Sequence, residues 1–232
     1  MIIIGHRGGG APAPENTLKS IRQGMPCADY VEVDVRSSSE GTPVVIHDPS
    51  LERTTTGRGF VKEITLEELK RLDAGGGEEI PTLEEVLDFV KGRVGLVIEL
   101  KEKFSIEKIC QIVSDYRISP LMFVSFHRDA LEEVRAHLPD VPEGLIYSRG
   151  MVNPVRECTD MKIDTILPAY RILDLKMIEE AHAAGLRVIT WTLNEREQIR
   201  GAAALGVDGF ATDFACMAAR LLKEIDLSNI GG

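Results

Sequence analysis

Eight short apolar runs, spaced along the chain by amphipathic stretches, constrain the fold more than any other feature of this sequence. The runs are IIIGH at 2–6, YVEVDV at 30–35, GLVIEL at 95–100, LMFVSF at 121–126, GLIYS at 144–148, TILPA at 165–169, RVITWTL at 187–193 and GFAT at 209–212. Helical patterning falls near 15–25, 82–92, 105–116, 128–138, 174–184, 194–204 and 213–225, and the interval 149–163 carries the weakest pattern. A repeated strand–helix–strand order predicts an α/β architecture with a parallel sheet. Eight such units in 232 residues predict a (β/α)8 barrel, read as one domain over 1–232. A doubly wound open sheet is the alternative. The first run has no G-x-G-x-x-G turn after it, which weakens the dinucleotide-binding form of that fold.

Local signals mark where the helices start and stop. Asn16, in PENT, is placed to cap the first helix. Thr82 followed by Glu85 is a capping box. Gly185 and Gly206 stand where a helix must end before the next strand. The long connection 48–81 contains the turn-rich LERTTTGRG, a short helical pattern TLEELKRL and the glycines Gly75–Gly77. It is read as a small excursion on the barrel after the second strand, not as a second domain.

The stretch VEVDVRSSSEGTPVVIHD, 31–48, raises the functional question. Val31, Val33 and Val35 alternate strictly, so they suit the helix side of a barrel strand. Glu32, Asp34 and Arg36 then point into the barrel or toward its mouth. Unpaired carboxylates in a barrel interior cost several kcal/mol each even after relaxation. They need a metal, a cationic partner or open water. Arg36 to Thr42 is too short a connection to begin another parallel strand, so a β-hairpin is predicted. A turn centred on 40–41 sets Asp34 opposite His47, with Cβ atoms roughly 5 Å apart.

Neighbouring strands end in the same chemistry. The first ends in His6-Arg7, and GLVIELK puts Glu99 and Lys101 on one face. Each feature alone has an ordinary explanation as rim polarity, a solvated face or a simple ion pair. Their conjunction on successive strand ends does not. Glu32, Asp34 and Glu99 suit a hard divalent cation, Mg2+ or Ca2+. His6 and His47 suit general acid and base, and Arg7 and Lys101 suit a phosphoryl group. His127, His137 and His182 are read as surface or structural histidines.

The formal net charge of −10 argues against non-specific binding to nucleic acid or anionic membranes and favours solubility. Cys27, Cys110, Cys158 and Cys216 lie tens of residues apart without zinc spacing. They are expected to be reduced, mostly buried thiols of a cytoplasmic protein. The N-terminal MIIIGHRGGG has neither the length nor the charged flank of a signal peptide or membrane span.

The ordered set GHRGG…PENT, VEVDV…GTPVVIHD and LVIELK resembles the glycerophosphodiester phosphodiesterase family, TIM barrels related in architecture to the catalytic domains of phosphoinositide-specific phospholipases C. LERTTTGRG, VSF, VITWTLN and GVDGFATD extend the resemblance over most of the chain. It implies a small-molecule substrate and metal-dependent hydrolysis of glycerophosphodiesters to glycerol 3-phosphate and an alcohol. His6 and His47 match the catalytic pair, Glu32, Asp34 and Glu99 the metal ligands, and Arg7 and Lys101 the phosphate-contacting cations. Glu15 matches an acid near the site. Trp191, aided by Phe126, matches an aromatic near the glycerol moiety. Asp213 is expected to serve only as a helix N-cap. A lysophospholipase D-type activity on the same site is the alternative, followed by a non-catalytic sugar-phosphate-binding barrel.

Overall fold

A computed structural model describes residues 1–149 and 153–230. The strands are β1 Ile2–Gly5, β2 Tyr30–Ser37, β3 Pro43–Val45, β4 Gly95–Leu100, β5 Leu121–Ser125, β6 Glu143–Tyr147, β7 Thr165–Pro168, β8 Arg187–Thr190 and β9 Gly209–Thr212. The helices are α1 Leu18–Gly24, α2 Leu66–Leu69, α3 Leu83–Val90, α4 Ile106–Tyr116, α5 Arg128–His137, α6 Pro154–Asp160, α7 Leu175–Ala183, α8 Arg196–Leu205 and α9 Ala215–Ile230. All strands but β3 run parallel. The sheet closes where β1 pairs with β9 on one side and with β2 on the other, Ile4 facing Tyr30 and Gly5 facing Val31. The result is the closed eight-stranded barrel that the alternation predicts.

Alternation along the strands sorts the side chains into two cores. Val31, Val33 and Val35 join the layer between barrel and helices. They are buried almost completely, each contributing roughly 1.5–3 kcal/mol. Inside the barrel lie Ile4, Val97, Met122, Val124, Ile146, Leu167, Ile189 and Ala211. The connection 48–81 closes over a third, smaller cluster that includes Val44, Ile46, Leu51, Val61, Leu69 and Ile80. Its short α2 begins with a Thr65–Glu68 capping box, and Thr82–Glu85 forms the predicted one at α3.

Three sequence expectations are corrected. The hairpin forms, but Val35 pairs with Val45 and Arg36 with Val44, so Ile46, not His47, faces Asp34. The loop Ser38–Thr42 is closed by Ser38 N–H on the Thr42 carbonyl, with Gly41 at φ 71°. It holds an odd number of residues, which moves the register by one. Thr17, not Asn16, caps α1, its hydroxyl accepting from the Ser20 N–H. Asn16 sits at φ 58° and turns its amide to Asp34 instead. Finally, Cys27 and Cys216 form a disulfide, while Cys110 and Cys158 are buried free thiols as expected. Barrel closure sets the segment after α1 against the start of α9, so the sequence distance between these cysteines disappears in space.

Candidate active site

The turn after β1 is tight. Arg7 takes φ 49° and ψ 40°, a left-handed conformation that costs a side-chain-bearing residue energy and is held by its surroundings. Its N–H donates to Glu32 Oε2 at 2.8 Å, and its carbonyl accepts from the Ser20 hydroxyl at 3.0 Å. The glycines around it permit this approach. A Cβ on Gly9 would lie 2.4 Å from the Gly5 Cα, and one on Gly24 would lie 2.0 Å from the Gly8 carbonyl oxygen.

Parallel pairing of β2 with β4 sets Asp34 beside Glu99. Glu32, Asp34 and Glu99 are all buried, and each offers an oxygen within 4.8 Å of the others. Lys101 Nζ lies 2.9 Å from Asp34 Oδ1 and also pairs with Glu99. Arg7 Nε is 3.3 Å from Asp34 Oδ2, and the Asn16 amide donates to that same oxygen at 2.7 Å. Glu32 Oε1 is buried without a hydrogen-bond partner among the described residues.

The charges of this trio pull apart. Burial and the neighbouring Asp34 push Glu32 up to about 8. Burial also raises Asp34, but Lys101 and Arg7 outweigh it and hold that carboxyl down at about 2. Burial and Asp34 raise Glu99 despite Lys101. Three clustered carboxylates, one with a buried oxygen left without a hydrogen-bond partner among the described residues, make a donor set that fits a hard divalent cation.

Each histidine is held by a carboxylate through Nδ1. His6 Nδ1 is 2.7 Å from Asp213 Oδ1, and His47 Nδ1 is 2.6 Å from Asp48 Oδ1. A carboxylate partner fixes Nδ1 as the protonated nitrogen and leaves Nε2 free for the cleft. Burial lowers the His6 pKa, but the Asp213 hydrogen bond and the Glu32 charge outweigh it, so the net shift is upward. For His47, burial wins over Asp34 and Asp48, and the net shift is downward.

These groups open into one cleft of about 130 Å³. His6, Arg7, Glu32, His47, Glu99 and Lys101 form its polar wall; Val124, Phe126, Ile146, Leu167, Trp191 and Ala211 form its apolar wall. Phe126 and Trp191 meet edge to face at 5.6 Å, and the Trp191 indole N–H donates to the Leu167 carbonyl. Asp34 lies behind the wall, fully buried. Glu15 stands at the rim, bridging Arg7 and Arg53. A larger cavity of about 530 Å³ lies between α6 and α7, lined by Arg149, Asn153, Asp174 and Lys176 among others. Among the described residues it brings no histidine or carboxylate cluster together, so size alone does not mark the site.

Sequence reasoning missed the partners of the histidines. Asp213 is no helix cap: its other oxygen accepts from the Asn194 amide at 2.5 Å, and the whole carboxylate is spent on His6 and Asn194. Barrel closure was the available signal, because a residue just after the last strand must neighbour one just after the first. Asp48 could have been read from its adjacency to His47.

A closed parallel barrel with acids, bases and cations gathered at the C-terminal ends of its strands is the arrangement of an enzyme. Residues 6–217 match the glycerophosphoryl diester phosphodiesterase family, and the chain belongs to that family of phosphodiester hydrolases. It is 34% identical over 227 residues to a glycerophosphodiester phosphodiesterase of Caldanaerobacter subterraneus subsp. tengcongensis, covering 91% of this chain and 93% of the relative. An Oleispira antarctica phosphodiesterase, solved in complex with the product sn-glycerol-3-phosphate, superposes with a TM-score of 0.92 at 29% identity, covering 96% of this chain and 97% of that one. The structure of a Silicibacter pomeroyi protein gives a TM-score of 0.91 at 27% identity, covering 97% of this chain and 94% of that one.

Proposed function

We propose that residues 1–232 act as one domain that hydrolyses glycerophosphodiesters to sn-glycerol 3-phosphate and an alcohol, with His6 and His47 as acid and base. One observation carries the reading. Two histidines with opposite pKa shifts, each held by a carboxylate through Nδ1, face the same cleft as the three-carboxylate cluster. The product bound in the Oleispira relative supports the choice of substrate.

Glu32, Asp34 and Glu99 would hold one divalent cation, Mg2+ or Ca2+, which when bound polarises a phosphate oxygen and a neighbouring hydroxyl. The downward shift leaves His47 neutral near pH 7, so its Nε2 takes the proton of the glycerol 2-hydroxyl as that oxygen attacks phosphorus. His6, whose pKa the Asp213 hydrogen bond and the Glu32 charge raise, is the better placed of the two to deliver a proton from Nε2 to the departing alkoxide. Water then opens the cyclic phosphate with the roles reversed. Arg7 and Lys101 hold the non-bridging oxygens and stabilise their charge. Trp191 and Phe126 offer an apolar face to the glycerol carbons.

Among the described residues no helix is long and apolar enough to cross a membrane. The acidic chain is expected to act on a small substrate and not on nucleic acid. A cytoplasmic location accords with the sequence reading, but the Cys27–Cys216 disulfide favours an oxidising compartment. Thiol titration of freshly lysed cells decides between them.

The test is release of glycerol 3-phosphate from glycerophosphocholine and glycerophosphoethanolamine by metal-stripped protein, with Mg2+ or Ca2+ then restored. Metal-restored release supports the reading. Release of choline and lysophosphatidic acid from lysophosphatidylcholine, with no turnover of either glycerophosphodiester, would transfer it to the lysophospholipase D-type alternative, and binding without turnover to the sugar-phosphate-binding one.

A further inference from the structure

We propose that Arg53 is a positioning residue for His47, acting through Asp48; this rests on His47 being catalytic. Arg53 is carried on the excursion after the hairpin, two residues beyond Leu51, which is buried in the small cluster there. Its guanidinium holds two carboxylates at once. Nε donates to Asp48 Oδ2 at 2.6 Å and Nη2 to Asp48 Oδ1 at 3.0 Å. Nη1 donates to Glu15 Oε2 at 2.8 Å and Nη2 to Glu15 Oε1 at 2.7 Å. Glu15 Oε1 also accepts from Arg7 Nη1 at 2.7 Å. One continuous chain therefore runs from the imidazole of His47 through Asp48, Arg53 and Glu15 to Arg7 and Asp34.

The backbone and the ring of His47 are held separately. Arg36 Nε donates to the His47 carbonyl at 2.7 Å, and Glu102 pins Arg36 and the Ser37 N–H from behind. Among the described residues the ring's one side-chain hydrogen bond is to Asp48. Asp48 has two rotatable bonds and is part-exposed, so it directs the ring only while its own plane is set. The Arg53 fork sets that plane through both oxygens. Arg53 is itself 46% exposed, and exposed ion pairs contribute little to stability. Its geometry thus bears on orientation more than on folding. A lysine, a point charge on a flexible stem, cannot reproduce a double fork.

The experiment compares Arg53→Ala, Arg53→Lys, Asp48→Asn, Arg53→Ala/Asp48→Asn and His47→Ala in the metal-loaded full chain, measuring kcat and KM for glycerophosphocholine, and Tm. Arg53→Ala is expected to lower kcat about tenfold with KM within about twofold and Tm nearly unchanged. Arg53→Lys should follow Arg53→Ala. The double variant should be no worse than the weaker single, because both changes break one chain. Wild-type kcat in Arg53→Ala, full activity in Arg53→Lys, multiplied losses in the double variant, or a change confined to KM would each overturn the proposal. An inactive His47→Ala beside a fully active Arg53→Ala would defeat only the positioning role. An active His47→Ala would defeat the catalytic reading beneath it.

Discussion

His6 Nδ1 and Asp213 Oδ1 lie 2.7 Å apart although 207 positions separate them in the chain. Their contact bridges the seam where β1 meets β9, so the first and last strand ends complete one acid–base unit. Asp213→Ala should leave the barrel folded, release the ring, and lower kcat at least about tenfold with a small change in KM. Asp213→Asn keeps a hydrogen-bond acceptor but removes the charge that raises His6. Steady-state kinetics on both variants check this, and an unchanged kcat in Asp213→Ala would return Asp213 to a structural role.

The opposed shifts of the two histidines set the pH dependence. The proposed mechanism uses His47 in its neutral form, and its pKa lies below the ordinary 6.5, so the acid limb of the rate profile is expected below pH 6.5. The proposed mechanism uses His6 in its protonated form, and its pKa lies above 6.5, so the alkaline limb is expected above pH 6.5. The kcat/KM profile at fixed, saturating metal should be a bell whose plateau includes pH 6.5. Asp213→Asn should move the alkaline limb to lower pH. His6→Ala and His47→Ala should each lose at least ~10²-fold in kcat.

What could be read from the sequence, and what could not, divides along one line. Period-two alternation around Glu32 and Asp34, and the apolar runs on either side of 95–100 and 187–193, are local patterns, and they placed strands and site residues together. The hairpin register failed because a five-residue loop and a four-residue loop look alike in SSSEGT, and one residue decides which side chain faces Asp34. His47 still reaches the cleft, from the loop after β3 and by its own dyad with Asp48. Asp213, Asn194 and the Cys27–Cys216 pair were missed because their partners are distant in sequence and become neighbours only when the barrel closes. Asn16 misled differently: its position suited a cap, but a buried carboxylate in need of donors outcompetes a helix end that Thr17 can serve.

Clustering three buried carboxylates should cost the metal-stripped protein stability. A carboxyl whose folded pKa is raised binds more protons folded than unfolded, so stability falls as pH rises from its unfolded pKa toward the folded one, here from 4.5 to about 8 for Glu32. Glu32→Gln should remove that slope and raise the Tm of stripped protein, while abolishing turnover. Added Mg2+ or Ca2+ should raise the wild-type Tm with the logarithm of the ion concentration once that exceeds Kd, and leave Glu32→Gln nearly unmoved. Calorimetric titration and thermal scans at pH 5 and pH 8 measure both. A variant that binds metal as tightly as wild type would remove Glu32 from the ligand set.

The disulfide joins residues 189 apart, almost the whole chain, and ties the segment that follows α1 to the first turn of α9. A cross-link over so long a loop restricts the unfolded chain strongly, by about 5 kcal/mol in the chain-entropy account. In a domain of this size each kcal/mol corresponds to about 2–4 °C in Tm. Reduction with dithiothreitol, or Cys27→Ser, should therefore lower the Tm by about 10–20 °C. Cys216 begins only three residues after Asp213, so loosening α9 also loosens the carboxylate that holds His6. The reduced protein should accordingly lose kcat at temperatures well below its new Tm, with KM nearly constant. Thermal scans with and without reductant, paired with initial rates at 25 °C, separate the two effects. A lowered Tm with unchanged kcat would make the disulfide a staple for the barrel seam alone. A parallel fall in kcat would show that closing the barrel and aligning its acid are one and the same mechanical act.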